Sequence, residues 1–237
     1  MNTCRKEAVV TGILFLIALI FNLIATNISD PILNGPDYLV RAYADKSAVI
    51  IGNLLNLICA VAMIFIPIVL FSVAKKFNQD LAQAYVVFRF LEGILFIYMA
   101  IKSLTFISLS KSYGAAGDQD AAFYRILGSS VHEDLHWATI IYILVFIFGA
   151  VAFYSLLFRS KLVPRFLSVW GLLAIVLMLT GVLMAIFGWG IFNSAPLMKG
   201  MVWFAPPIAL NELVLSIWLI IRGFNLSEIS AISAKQT

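Results

Sequence analysis

The sequence predicts an all-α, polytopic membrane bundle of about six helices, on three observations. Apolar residues make up 62 % of the 237 positions and charged residues only 12 %, against roughly half and a quarter in a soluble domain. Six apolar runs each approach the ~20 residues that cross a hydrocarbon core. Lysine and arginine are unequally shared between the two sets of run ends, as the positive-inside rule requires of a membrane-spanning chain.

The runs extend from Ala8 to Asn27, Ser47 to Ser72, Ala84 to Leu109, Ala138 to Phe158, Phe166 to Gly188 and Trp203 to Ile221. They are continuous and lack two-residue alternation, so helices rather than barrel strands satisfy the backbone in lipid. The first run is longer than a signal-peptide core and no A-x-A-like site follows it, so it reads as a retained helix. Nothing between the runs has linker composition, which predicts one integral membrane domain over residues 1–237.

One set of ends carries Arg5, Lys6, Lys75, Lys76, Arg159, Lys161, Arg165, Arg222 and Lys235; the other carries Arg41, Lys46, Lys111, Arg125 and Lys199. The expectation is a cell-membrane protein with both termini in the cytoplasm. The net charge of +4 belongs to that rim; with no basic tract or RNA-binding signature, nucleic acid is not an expected partner. Cys4 and Cys59 are not spaced for a redox pair or a metal. The 110–135 stretch is expected to break at Gly114, Gly117 and Asp118. Asp118 would then cap a short amphipathic helix with Ala121, Tyr124 and Leu127 on one side. Pro67 is a kink candidate, whereas Pro206 and Pro207 fit the first turn of the last helix.

Charges at membrane depth are costly and face protein. Arg89 and Glu92 stand three apart on one face of the third helix and can neutralise each other. Lys102 is near enough to an end to reach water. Glu212 lies about ten residues into the last run with no base in its own segment, so it must be protonated, hydrated or paired with another helix, Arg89 being the candidate. Two acids competing for one buried base make Glu212 the expected proton carrier. Asn22, Asn53, Asn56 and Asn211 also lie at depth, where amides commonly join helices. Arg89, Glu92, Glu212, Asn53 and Asn56 form the candidate ligand or proton site. His132, Glu133 and His136 form an HExxH string, the spacing of a zinc hydrolase, but it sits at a helix mouth and lacks a nearby third ligand. No cofactor motif is present, and an enzyme is the less favoured class.

The segments Glu92–Lys102 and Glu212–Arg222 share a glutamate, Leu three on, Ile five on, an aromatic six on and a base ten on. Gly52 aligns with Gly171 at nearly the same offset. In the assigned topology this pattern points to a weak three-plus-three inverted repeat, an arrangement found in transporters.

The stretches PILNGPDYL, VFRFLEG, SKLVPRFLSVWG and PPIALNELVLSIWLIIRGFN together resemble the bacterial multi-pass membrane family named domain of unknown function 4386. The resemblance spans nearly the whole chain and implies no substrate or reaction. Its matching blocks include Arg89, Glu92, Pro164, Arg165 and Glu212. In that family an Asp-Trp-Ala type sequence more often precedes the fourth run; here it is His136-Trp137-Ala138, so the HExxH string does not resemble a family hallmark. The functional expectation is small-solute or proton-coupled transport, or membrane ligand binding, with a membrane scaffold as the rival and an intramembrane metallohydrolase as the third.

Single cysteines introduced at Ser233 and Gln119, in a background with Cys4 and Cys59 replaced by serine, test the orientation. An impermeant maleimide applied to intact cells is expected to label position 119 and spare position 233; the reverse pattern refutes it.

Overall fold

The computed structural model describes residues 3–116, 120–193, 197–225 and 227–228. Gly117, an expected break, Asp118, the expected cap, and the labelling positions Gln119 and Ser233 lie outside them. The elements are α1 (Thr3–Leu33), α2 (Tyr38–Ala44), α3 (Lys46–Ala74), α4 (Gln79–Ala115), α5 (Ala121–Ser160), α6 (Arg165–Phe187), a 3-10 turn (Gly190–Asn193), α7 (Leu197–Met201) and α8 (Pro206–Ile221). Among the described residues, five helices are long and apolar enough to cross a membrane, and α8 is a shorter apolar helix. At ~1.5 Å per residue, the 16 residues of α8 cover about 24 Å.

Several boundaries correct the sequence reading. The expected long connection at 110–135 is mostly helix. α4 runs through Gly114 to Ala115, and α5 is one 40-residue helix from Ala121, not a short surface helix followed by a membrane helix. A mid-helix glycine costs only ~1 kcal/mol, and polar turns can continue the hydrogen-bond ladder beyond the apolar run. α1 likewise continues past Asn27 and includes Pro31. α8 begins at Pro206 rather than Trp203, because two prolines occupy its first positions, where the missing N–H groups are harmless. Gly188 ends α6 in the left-handed conformation at φ 65°, and Gly190 follows at φ 60°, so the Gly-Trp-Gly sequence is a turn.

The chain divides into two compact units. Unit 1 comprises residues 1–17, 62–92 and 143–237; unit 2 comprises 18–61 and 93–142. In unit 1, Gly12 lets α1 approach α8: a Cβ there would lie 2.7 Å from the Ser216 carbonyl oxygen. The Arg5 guanidinium caps the end of α8, donating to the carbonyls of Leu219 (3.2 Å), Ile220 (2.7 Å) and Ile221 (2.9 Å). These are among the carbonyls a helix end leaves without partners, and a cation suits the negative pole there. On α6, Gly171 leaves room for the buried ring of Tyr154.

Unit 2 is organised around Tyr38 of α2. Its ring meets Phe106 edge-on at 5.3 Å and His132 at 4.5 Å, and Gly128 leaves space for it. Ile32, Leu33, Ala42, Val49 and Phe106 complete this core. The Ser110 hydroxyl accepts the Tyr43 N–H at 2.9 Å and pins α2. Gly52 permits α3 to approach Ser29 of α1.

Outward faces carry large apolar side chains in number. Leu173 is 65 % exposed, Val176 61 % and Leu54 55 %. A surface of this kind is a liability in water and an ordinary boundary in lipid.

Adding a methyl at Gly12 forces α1 away from a backbone carbonyl that cannot yield. Gly12→Ala is expected to destabilise the folded protein by about 1–3 kcal/mol. Gly114, with nothing within 4 Å of its missing Cβ, is the contrast: Gly114→Ala is expected to be neutral or stabilising by about 0.5–1 kcal/mol. Melting curves in detergent compare the two.

Candidate functional site

Arg89 is the centre of a buried polar cluster in unit 1. Its place on α4 puts Tyr85 one turn before it and Glu92 one turn after it on the same face. Nη1 donates to Glu92 Oε1 at 3.0 Å and Oε2 at 3.2 Å, and Nε donates to the Tyr85 hydroxyl at 3.2 Å. Nη2 reaches across to Glu212 Oε1 on α8 at 3.5 Å. The guanidinium also lies 5.8, 5.4 and 5.5 Å from the ring centroids of Phe15, Tyr85 and Phe146, within cation–π range. The Arg89 and Glu92 side chains are 5 % and 1 % exposed, and Glu212 is 19 % exposed.

The third and last membrane helices therefore do touch through their charges. Glu92 and Glu212, the two glutamates aligned by the internal sequence comparison, converge on the same guanidinium. The aligned glycines behave alike too: Gly52 accommodates Ser29 of α1 and Gly171 accommodates Tyr154 of α5, so each admits a residue from an earlier helix.

Asn53 and Asn56 belong to unit 2 and are not among these contacts. The Asn53 amide donates to Val49 O, 2.8 Å away in its own helix, instead of joining another helix. Asn56 Oδ1 is buried without a partner among the described residues. Asn211 does act as interhelical glue: its amide donates to Leu167 O on α6 at 2.9 Å. Lys102 is partly exposed, and its ammonium pairs with the half-exposed Asp134 at 2.6 Å.

That pairing also bears on the HExxH string. His132 is packed against Tyr38 and Phe106, Asp134 is engaged by Lys102, and His136 lies edge-on to Trp137 at 5.6 Å. Among the described residues, no group of three His, Cys, Asp or Glu side chains is placed to hold a metal ion.

Tyr85, Phe15 and Phe146 escaped the sequence reading. Tyr85 was accessible in principle from its spacing of four from Arg89. Phe15 and Phe146 come from other helices and look like any lipid-run phenylalanine until the helices are assembled.

Continuous apolar helices with Leu, Ile, Val and Phe outside and an Arg–Glu cluster inside define a multi-pass membrane protein. The chain belongs to the family described as a domain of unknown function, DUF4386, whose sequence model matches residues 10–223. No curated protein matches the chain significantly. Nor does any solved structure.

Removing Arg89 leaves Glu92 buried without its base. Arg89→Ala is expected to cost about 3–5 kcal/mol, read as a loss of folded protein in detergent melting. Arg89→Lys, which keeps the charge but not the forked donors, should recover only part of it.

Proposed function

We propose that the chain binds a proton, and with it a small polar solute, at Glu212 beside the Arg89–Glu92 pair. It would thus act as a proton-coupled carrier or a membrane ligand-binding protein. The carrying observation is the unequal division of one base between two acids. Arg89 is closed onto Glu92 by two short bonds and onto Tyr85 by a third, while Glu212 is held at 3.5 Å and keeps more exposure. Two carboxylates and one guanidinium leave an excess negative charge in a medium of low dielectric, and a proton on Glu212 removes it.

Two further observations support this reading. Thr11 Oγ1, Tyr154 Oη, Ser168 Oγ and Asn211 Oδ1 are buried in unit 1 without hydrogen-bond partners among the described residues. Buried oxygens of this kind normally bind water or a ligand. The convergence of the matched glutamates also suits an inverted repeat with its site between the repeats. On this reading residues 1–237 form one integral domain of the cell membrane with both termini in the cytoplasm.

A membrane scaffold is the second reading. The closed Arg89–Glu92 bonds favour it, as do two surface clefts, at Lys161–Glu228 and at Leu39–Ala115, neither of which includes Arg89, Glu92 or Glu212.

Glu212→Gln separates the two. If Glu212 carries the proton, the amide replaces a neutral group, and the melting midpoint should change by less than about 1 kcal/mol equivalent. A protonated-carboxyl infrared band present in the wild type in lipid nanodiscs should disappear. A loss as large as that of Arg89→Ala, with no change in the band, makes Glu212 an ionised structural partner and leaves the scaffold reading.

A further inference from the structure

The corner between α5 and α6 and the end of α8 enclose a cleft of about 570 Å³ lined by Lys161, Pro164, Arg165, Trp218, Arg222 and Asn225, among others. All of these residues belong to unit 1. The cleft is independent of the Arg89 cluster.

Its construction is firm. Lys161 adopts φ 53°, a left-handed conformation that a non-glycine residue takes only where its surroundings hold it. Leu162 and Val163 are buried beneath it, and the Asn225 N–H donates to Leu162 O at 2.9 Å, tying the segment after α8 to the corner. Pro164 caps α6 without a side-chain hydrogen bond.

Its charge is one-sided. Lys161, Arg165 and Arg222 are exposed cations on the lining, opposed by Glu228, which stands 3.9 Å from Lys161. Each flanking arginine adjoins an outward apolar side chain. Phe166, 58 % exposed, follows Arg165, and Ile221, 64 % exposed, precedes Arg222. Cations on the lining and exposed apolar side chains next to two of them in the chain match a molecule that carries a phosphate and acyl chains on one backbone. Free phosphate would use only the cations. Trp218 supplies the amphipathic ring suited to the same depth.

We propose that this cleft is a binding site for the headgroup of an anionic phospholipid, its phosphate held by Lys161, Arg165 and Arg222 and its acyl chains laid over Phe166 and Ile221. Basic pockets between membrane helices are a recurring solution for such headgroups. In the proposed orientation this end meets the cytoplasmic leaflet, where anionic lipid is found.

The test titrates purified protein in detergent with phosphatidylglycerol, phosphatidylcholine or inorganic phosphate at matched ionic strength. Thermal shift and native mass spectrometry are the readouts. Phosphatidylglycerol is expected to bind and stabilise, and phosphatidylcholine and phosphate to do so much less. Arg165→Gln and Arg222→Gln, both exposed positions, should each weaken phosphatidylglycerol binding about fivefold. Arg222→Lys should retain most of it, and Lys75→Gln with Lys76→Gln should leave it unchanged. Equal response to phosphatidylcholine overturns the site. Equal response to inorganic phosphate replaces the lipid with a free anion and overturns it as stated. Weakening by the Lys75 and Lys76 changes equal to that at Arg165 and Arg222 makes the effect one of net charge and also overturns it.

Discussion

A guanidinium in hydrocarbon has no water to solvate it, so the protein must supply the solvation shell. Arg89 draws that shell from four helices: Glu92 and Tyr85 on α4, Phe15 on α1, Phe146 on α5 and Glu212 on α8. Leucine and valine packing in lipid is only weakly selective, because one apolar neighbour is much like another. A buried arginine has few acceptable neighbours. The charged cluster therefore restricts which arrangements unit 1 can adopt, and the small residues at Gly12 and Gly171 then let the helices close around it.

Polar contacts in unit 2 do comparable local work with less charge. Tyr38 fits a slot made by Phe106, His132 and the missing side chain of Gly128, and Ser110 holds the backbone of the short α2. His132 is thus accounted for as an aromatic wall. The histidine spacing that suggests zinc on paper arises here because one turn of a helix separates an inward ring from a partner beside Trp137.

How much of this was legible beforehand depended on the range of the signal. Arg89 with Glu92 is a three-residue spacing on a helix, and the sequence states it outright. Glu212 announced itself by lacking a base in its own segment, which left protonation, hydration or another helix open, and Arg89 of α4 stands 3.5 Å from it. Phe15 and Phe146 carried no signal, since a lipid-facing phenylalanine and one that faces a cation are written identically. Helix ends were the weakest part. Hydropathy marks where apolar side chains stop, whereas α1, α4 and α5 continue as long as their backbone ladders stay intact. α2 is only seven residues, too short for a periodic pattern to stand out.

The Arg89 cluster joins residues that are synthesised far apart, and this orders its assembly. Glu92 emerges from the ribosome three residues after Arg89 and can enter the bilayer with it as a neutral pair. Glu212 arrives 123 positions after Arg89, when α8 is made. The Arg5 cap on the α8 carbonyls must likewise wait for that helix, which is made more than 200 residues after Arg5. Until then α1 is held by lipid and by the helices between, and the aromatic ring it offers to Arg89 is present before the second acid. The nascent bundle therefore passes through a stage in which its central base already has one counter-charge and its second acid is still missing.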